Sequence, residues 1–147
     1  MIGSKRVRDE LAVRQLYARQ AQAIDGGQAE AWARTFTVDG EFRSETYPAP
    51  VIGWHDLAEF ARDFTRAAAL QGEVHRHWMN ALAFEHIDRK TARAKFYLAV
   101  LAADSSSSRI LRHVLVDDEL ARDRRGWLVR IRIVRADRPV VVGGGPR

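Results

Sequence analysis

The chain has 147 residues, a mass of 16.7 kDa and a formal net charge of +5, with 46% hydrophobic and 29% charged residues. This length fits one domain, and the composition is typical of a globular protein and excludes a fibrous or disordered chain. The sequence contains no cysteine, which excludes disulfides and thiolate metal sites.

The pattern of charge and hydropathy argues against two classes of partner. No apolar run approaches the roughly 20 residues of a membrane span, and the first residues lack the apolar core of a signal peptide, so we expect a cytoplasmic protein without a membrane partner. The basic residues are mostly arginines scattered among acids, so we also expect no nucleic-acid partner. Of the densest basic runs, Arg122–Arg125 is interpreted as a charged turn and Arg130–Arg135 as the outer face of a strand.

Helical periodicity dominates the first half of the chain. Apolar residues recur at helical spacing from Asp9 to Ile24, and Gly26-Gly27 ends this first helix because glycine adopts the left-handed conformation of a C-cap. A short second helix is predicted over 28–36, followed by a turn and a strand over 41–44. Two prolines make 45–53 a loop. A third helix with an apolar stripe is predicted over 54–69.

The second half has the pattern of long strands. They are predicted over 73–87, 91–102, 108–121 and 127–135, joined by short polar turns. A chain in which the helices come first and an antiparallel meander comes last has the α+β pattern. We expect a curved sheet that buries its apolar face against the helices. We expect one domain over residues 1–138 and a flexible tail over 139–147, which is rich in glycine and proline.

One stretch of the first long strand concentrates groups that can transfer protons. In Val74-His-Arg-His-Trp-Met-Asn80, alternation places His75 and His77 on one face, with Arg76 and Asn80 on the other. His75 and His77 also have the spacing of metal ligands, but no short motif supplies a third ligand, even if His113 or a distant acid is considered. We therefore predict no metal site and no cofactor.

The order of several motifs along the chain resembles a known superfamily. These motifs are Asp25-Gly-Gly, a helix with Trp32 and Phe36, Val38-Asp-Gly, Arg76-His77 with Asn80, and Asp118-Glu-Leu before Gly126-Trp127. Over about residues 8–137 the chain resembles the nuclear transport factor 2-like superfamily, in the branch of SnoaL-like polyketide cyclases, scytalone dehydratase and lindane dehydrochlorinase. The resemblance implies a cone-shaped α+β fold in which a curved sheet and three helices enclose a deep apolar pocket.

The same resemblance implies a catalytic dyad of Asp25, at the end of the first helix, and His77. From the residues alone, Asp25 could equally be a turn residue, and His77 a half-buried histidine bonded to a carbonyl. A carboxylate at a helix C-terminus is nevertheless unfavourable by up to about 1 kcal/mol unless a partner compensates it, and an imidazolium would do so. Asn80, Arg112 and His113 are candidates for polarising a substrate oxygen.

Aromatic side chains are the candidates for contact with an apolar substrate, although such residues usually belong to the core. The candidates are Tyr17, Trp32, Phe36, Trp54, Phe60, Phe64 and Phe96. Asp118 matches a frequently acidic position of the branch but is also typical of an acidic strand end. Limonene epoxide hydrolase, another relative, needs an Asp-Arg-Asp set that Arg112 with Asp118 satisfies poorly.

The resemblance leads to two hypotheses of function. The first is a cofactor-independent lyase or isomerase, a dehydratase or cyclase, acting on a small apolar, carbonyl-bearing, polyketide-like substrate. The second is a non-catalytic member of the fold, either a dioxygenase small subunit or a ligand-binding or assembly module. An enzyme should place Asp25 and His77 about 2.6 to 3.2 Å apart at a cavity, whereas aromatics should fill the cone of a structural subunit. A homodimer through the outer sheet face is also implied by the resemblance.

Overall fold

The computed structural model describes residues 2–139, without the side chain of Ile2. The helices are α1 (Ile2–Asp25), α2 (Ala29–Ala33) and α3 (Gly53–Leu70), and the strands are β1 (Phe36–Ser44), β2 (Val51–Ile52), β3 (Val74–Ile87), β4 (Thr91–Ala103), β5 (Ser108–Asp123) and β6 (Gly126–Ala136). The tail predicted from residue 139 onward lies outside the described residues except for Pro139. Within the described part of the chain, no helix combines the length and the apolar character needed to cross a bilayer.

The six strands form one mixed sheet in the order β2-β1-β6-β5-β4-β3. All neighbouring strands are antiparallel except β1 and β6, which are parallel. The helices cover one face of this sheet, and the predicted α+β fold is confirmed. Strands β3 to β6 begin and end within two residues of the predicted limits, because each alternates between the two faces over most of its length.

Strand β4 shows how the sheet forms the inner core. Its inward residues alternate with exposed or half-buried ones along the strand; they are Ala92, Ala94, Phe96, Leu98, Val100 and Ala102. Phe96 packs on Tyr17 of α1, with ring centroids 4.9 Å apart. The alanines at 92 and 94 leave space next to β5, where a charged side chain of that strand is buried.

The first part of the chain differs from the prediction at three points. Helix α1 begins at Ile2 rather than Asp9, and α2 ends at Ala33 rather than Phe36. Phe36 instead begins β1, because it pairs with Val129 of β6 and the backbone N–H of Val129 donates to Thr35. Sheet pairing thus overrides the weak helical preference of this segment. The loop predicted over 45–53 contains the two-residue strand β2, which adds to the edge of β1.

Candidate functional site

Asp25 is the last residue of α1, and the chain turns sharply after it. The backbone N–H of Gly26 donates to Gln22, and Gly27 has a positive φ of 72° that glycine adopts without strain. This turn leaves the Asp25 carboxylate at the negative end of the helix macrodipole, where a hydrogen-bond donor is needed to stabilise its charge.

His77 of β3 provides that donor twice. Its Nδ1 lies 2.6 Å from Asp25 Oδ1, and its backbone N–H donates to Asp25 Oδ2 at 3.1 Å. His77 lies opposite Val100, a buried inward residue of β4, and therefore occupies the inner face of the sheet. Only 14% of the His77 side chain and 11% of the Asp25 side chain are exposed. Two residues 52 positions apart in sequence are thus in direct contact.

The contact selects one tautomer of the neutral imidazole. A carboxylate only accepts hydrogen bonds, so Nδ1 carries the proton and Nε2 retains its lone pair. Nε2 has no hydrogen-bond partner among residues 2–139. The ring is also fixed by Phe64 of α3, whose centroid is 5.1 Å away. His77 is therefore an oriented base with a free nitrogen.

A cavity of about 490 Å³, which we call the central cavity, lies between the sheet and the helices next to His77. Most of its wall is apolar, with strand residues such as Leu98, Val100 and Val134 opposite rings from α2, β1 and α3. Its volume is within the range of small-molecule sites. The cone is therefore open rather than filled by its aromatic residues.

A buried ion pair forms part of the wall of the central cavity. Arg132 of β6 donates from Nε and Nη2 to the two carboxylate oxygens of Asp118 of β5, at 2.9 and 2.7 Å. The Arg132 side chain is 7% exposed and that of Asp118 is fully buried, opposite the small Ala94. Burial opposes the charge of Arg132, but the Asp118 carboxylate outweighs this, and the pKa of Arg132 is raised.

The position of Arg132 corrects the interpretation of 130–135 as the outer face of a strand. Glu119 pairs with Ile131 and Leu120 pairs with Val129, so Arg130 is an extra residue in β6. This bulge reverses the alternation and turns Arg132 inward. No motif in the sequence marks the bulge. The available signal is that Asp117 and Asp118 are adjacent on one strand, so that alternation must turn one of the two acids inward.

Tyr17 of α1 lies near this ion pair. Its ring faces the Arg132 guanidinium at 5.8 Å, and its buried hydroxyl lies close to the Asp118 carboxylate without a well-aligned hydrogen bond to any of residues 2–139. Burial raises the pKa of Tyr17 well above its ordinary value, and the negative charge of Asp118 raises it further. The phenol therefore stays protonated and is available only as a neutral donor.

Five of the predicted substrate contacts line the central cavity, namely Trp32, Phe60, Phe64, Arg112 and His113. Three others, Tyr17, Asn80 and Phe96, line a neighbouring groove of about 450 Å³ between α1 and β3, which we call the side groove. Asp25 also lines the side groove, and His77 lines both spaces. The dyad thus forms part of the wall between the two spaces.

Two predicted contacts lie away from both spaces. Phe36 is fully buried in the core against Trp32, with ring centroids 5.0 Å apart. Trp54 donates from Nε1 to the Phe36 carbonyl and stacks with Arg34 and Arg125. Neither residue is among those that line the central cavity or the side groove.

Two candidates for polarising a substrate oxygen are engaged elsewhere. Asn80 is exposed on the face opposite His77, and its Oδ1 accepts the backbone N–H of Ala81 at 2.7 Å. His113 lies at the rim of the central cavity, where its Nδ1 is 2.9 Å from Asp137 and its ring contacts Tyr97. Arg112 has no such partner within the described chain, and Arg132 is a polar group of the cavity that the sequence did not indicate.

His75 belongs to a separate pair. Its Nε2 lies 3.0 Å from Glu73, which also accepts from Arg109 at 2.7 Å, and these two contacts lower the pKa of Glu73. His75 and His77 are therefore bound by different carboxylates. Among residues 2–139, no group of three histidine or acidic side chains is placed to hold a metal ion.

Comparison with known proteins agrees with this architecture. A family model described as a SnoaL-like domain matches residues 5–133. No match was found among the curated proteins. An NTF2-like protein with a cystatin-like fold from Novosphingobium aromaticivorans shares the fold, with 22% identity over 97% of this chain and 88% of that chain and a TM-score of 0.81.

Two further solved structures are more similar in sequence. ActVI-ORFA from Streptomyces coelicolor is 29% identical over 87% of this chain and 97% of that chain, with a TM-score of 0.76. A protein from Catenulispora acidiphila in complex with S-DNPA is 29% identical over 86% of this chain and 92% of that chain, with a TM-score of 0.74. One of these relatives thus binds a small organic ligand.

Proposed function

The chain belongs to the family of SnoaL-like domains, and on this premise we propose that it is a lyase or isomerase whose own side chains provide the acid and the base. The contact between Asp25 and His77 beside an open, mostly apolar cavity carries this proposal. The proposed substrate is a small, largely apolar molecule with a carbonyl group, of the polyketide type. The open cavity favours this function over a structural subunit with a filled cone.

In the proposed reaction, His77 Nε2 removes a proton from the carbon next to the carbonyl. The electron pair of the broken C–H bond forms a carbon–carbon double bond, and the charge moves to the carbonyl oxygen. Asp25 accepts the Nδ1 hydrogen bond and stabilises the imidazolium that forms. The imidazolium then returns its proton, either to a departing β-hydroxyl, which leaves as water, or to a different carbon, which moves the double bond.

Arg132 is a buried cation of the same cavity, and its bidentate contact with Asp118 fixes its orientation. It lies away from the proposed base, because Asp118 pairs with Ala94 of β4 whereas His77 pairs with Val100. Because the pair with Asp118 is formally neutral, the cavity does not contain an uncompensated buried charge before substrate binds.

Proton abstraction can be tested without the natural substrate. The wild-type protein is incubated in D₂O with 1-tetralone, a small apolar ketone, and deuterium uptake at the carbon next to the carbonyl is followed by proton NMR. We expect His77→Ala and Asp25→Asn to slow this uptake by about 10²- to 10⁴-fold. Circular dichroism should show that both variants remain folded.

His86→Gln is the matched control, since His86 is an exposed histidine of the same strand that contacts Asp88 and Thr91. This variant should exchange at the wild-type rate. The proposed chemistry would be contradicted if the wild-type protein and His77→Ala gave the same rate of deuterium uptake for every ketone in a panel that fits the cavity.

We also propose that two copies associate through the outer face of the sheet. Trp78 of β3, Tyr97 of β4 and Leu115 of β5 are exposed there, and Tyr97 is paired directly with Leu115. Exposed rings grouped on neighbouring strands are typical of protein interfaces. This surface, which we call the outer patch, is on the opposite side of the sheet from the central cavity.

A further inference from the structure

The central cavity contains an arginine that no acidic residue of the described chain neutralises. Arg112 of β5 pairs with Val100, a buried inward residue of β4, so it lies on the inner side of the sheet. A register shift follows at Leu101, and Leu111 lines the cavity beside Arg112. The Arg112 side chain is exposed and forms no hydrogen bond or ion pair with any of residues 2–139.

Most arginines of the four long strands contact a carboxylate, but Arg112 does not. Five of the eight arginines on β3 to β6 are paired: Arg93 with Asp117, Arg109 with Glu73, Arg122 with Asp9, Arg130 with Glu119, and Arg132 with Asp118. A guanidinium presents a rigid fork of donors that matches a carboxylate. Arg112 is therefore available for an anion that enters from solvent.

The two arginines of the cavity lie at different depths. Arg132 is buried and held by Asp118, whereas Arg112 is exposed and marks the end that opens to solvent. The rings of Trp32, Phe42 and Phe60 form one packed wall of the same cavity, with centroids 4.7 to 6.3 Å apart. The cavity therefore combines a buried ion pair, an aromatic wall and an exposed cation.

One acid also lines the central cavity and must be considered. Glu45 accepts the backbone N–H of Ala136 at 3.4 Å, and no ion pair joins it to Arg112. Asp118 compensates only Arg132. The guanidinium of Arg112 is thus the group at the outer end that can bind an anion directly.

On the basis of the function proposed above, we infer that the substrate is an aromatic acid whose anionic group binds Arg112 while its carbonyl end reaches His77. His77 and Arg112 pair with the same residue, Val100, from opposite sides of β4. The apolar body then lies along the aromatic wall. Arg112 determines which end of the molecule enters first, and so places the carbon that loses its proton next to Nε2 of His77. Neutral analogues of the same shape should enter the cavity but bind less tightly.

The inference can be tested by binding alone, with 2-naphthoate and 2-naphthamide as probes. The two molecules have the same rings and nearly the same shape, but only the first is charged at pH 7.5, because carboxylic acids ionise near pH 4. Isothermal titration calorimetry on the full chain gives both dissociation constants. We expect naphthoate to bind roughly three- to tenfold more tightly than the amide, the gain typical of a partly exposed ion pair.

Three variants assign this preference to one residue. Arg112→Gln should reduce the ratio of the two dissociation constants to about one, and Arg112→Lys should keep part of it. Arg135→Gln is the matched control, since Arg135 is an exposed arginine of β6 without an ion pair to any of residues 2–139 and lies outside the central cavity. It should leave the ratio unchanged.

Equal binding of the two probes by the wild-type protein, or an unchanged ratio in Arg112→Gln, would overturn the inference. His77→Ala separates it from the proposed reaction, because this variant should lose deuterium exchange but keep the preference for naphthoate. If the wild-type protein shows no preference for naphthoate but its deuterium exchange still depends on His77, only the anion site is disproved. If the preference depends on Arg112 but exchange does not depend on His77, only the reaction is disproved.

Discussion

Asp25 and His77 illustrate how single side chains obtain a chemical role from their surroundings. Neither residue is unusual by itself, since an acid before two glycines is a common turn and histidines are frequent on strands. The fold joins them by two hydrogen bonds and leaves one imidazole nitrogen free. The tautomer of the imidazole and the direction of its free nitrogen thus follow from one contact, and they support the role of base that we propose for His77.

Tyr17 gives a prediction at the residue scale. Its buried hydroxyl lies close to Asp118 but forms no well-aligned hydrogen bond with any of residues 2–139, so Tyr17→Phe should change the free energy of unfolding at pH 7 by less than about 1 kcal/mol. The pKa of Tyr17 is raised in the folded state, so the folded protein keeps a proton that the unfolded chain releases above about pH 10. Wild-type stability should therefore fall relative to the variant above that pH.

The measurement is urea unfolding of both proteins at pH 7 and pH 10.5. Tyr47→Phe, at an exposed ring, is the control for loss of a hydroxyl as such. If Tyr17→Phe is strongly destabilised at pH 7, its hydroxyl has a partner, and the description of this group is wrong.

At the scale of elements, β1 depends on an irregularity to reach the cavity. Phe36 pairs with Val129, but Glu41 already pairs with Ile131, so the residues between them bulge out of the sheet. Gly40 lies in this bulge, where an added Cβ would be only 2.7 Å from Phe36 Cβ and 2.9 Å from the Thr37 carbonyl. Close backbone approach, rather than a positive φ, is the reason for glycine here.

Gly40→Ala should therefore lower the free energy of unfolding by about 1 to 3 kcal/mol, because the new methyl group meets backbone and a buried ring that cannot move freely. Gly3→Ala is a suitable control, since a Cβ there meets nothing within 4 Å, and alanine at a helical position should stabilise by up to about 1 kcal/mol. Chemical denaturation of the two variants compares them directly. A Gly40→Ala protein as stable as wild type would show that β1 can relax.

At the scale of the whole molecule, we propose that the two faces of one sheet serve two purposes, the reaction and association. The inner face carries the central cavity, and the outer face carries the outer patch, where Trp78 is 63% and Tyr97 53% exposed. Since alternate residues of the same strands supply both faces, a change on the outside leaves the inside almost intact. Association and catalysis can therefore be altered separately.

Trp78→Asp should convert a dimer into a monomer, because it places a charge where aromatic surface is proposed to be buried. Light scattering after size exclusion should give twice 16.7 kDa for the wild type, and the variant should weaken association by at least about 30-fold. Leu70→Asp, at an exposed residue of α3, is the control. A wild-type protein that remains monomeric at high concentration would rule out the proposed interface.

Most of the fold could be predicted from the sequence, because β3 to β6 alternate and α1 and α3 have apolar stripes. The site could be predicted only in part. Asp25 and His77 came from resemblance, since nothing in local spacing joins residues 52 positions apart. Arg132 was missed because strict alternation from Val129 places it outside, and only the extra residue Arg130 turns it inward.

The double attachment of Asp25 has a further consequence. One of its two contacts is to the backbone N–H of residue 77, and this N–H remains when any residue other than proline occupies the position. In His77→Gly the carboxylate should therefore stay in place beside a space of imidazole size. Free imidazole added to that variant should enter the space and restore part of the deuterium exchange, measured by the same NMR assay. Asp25→Asn in the same background should abolish this chemical rescue. Because the base is then an added compound, substituted imidazoles of different pKa can be used to vary its basicity.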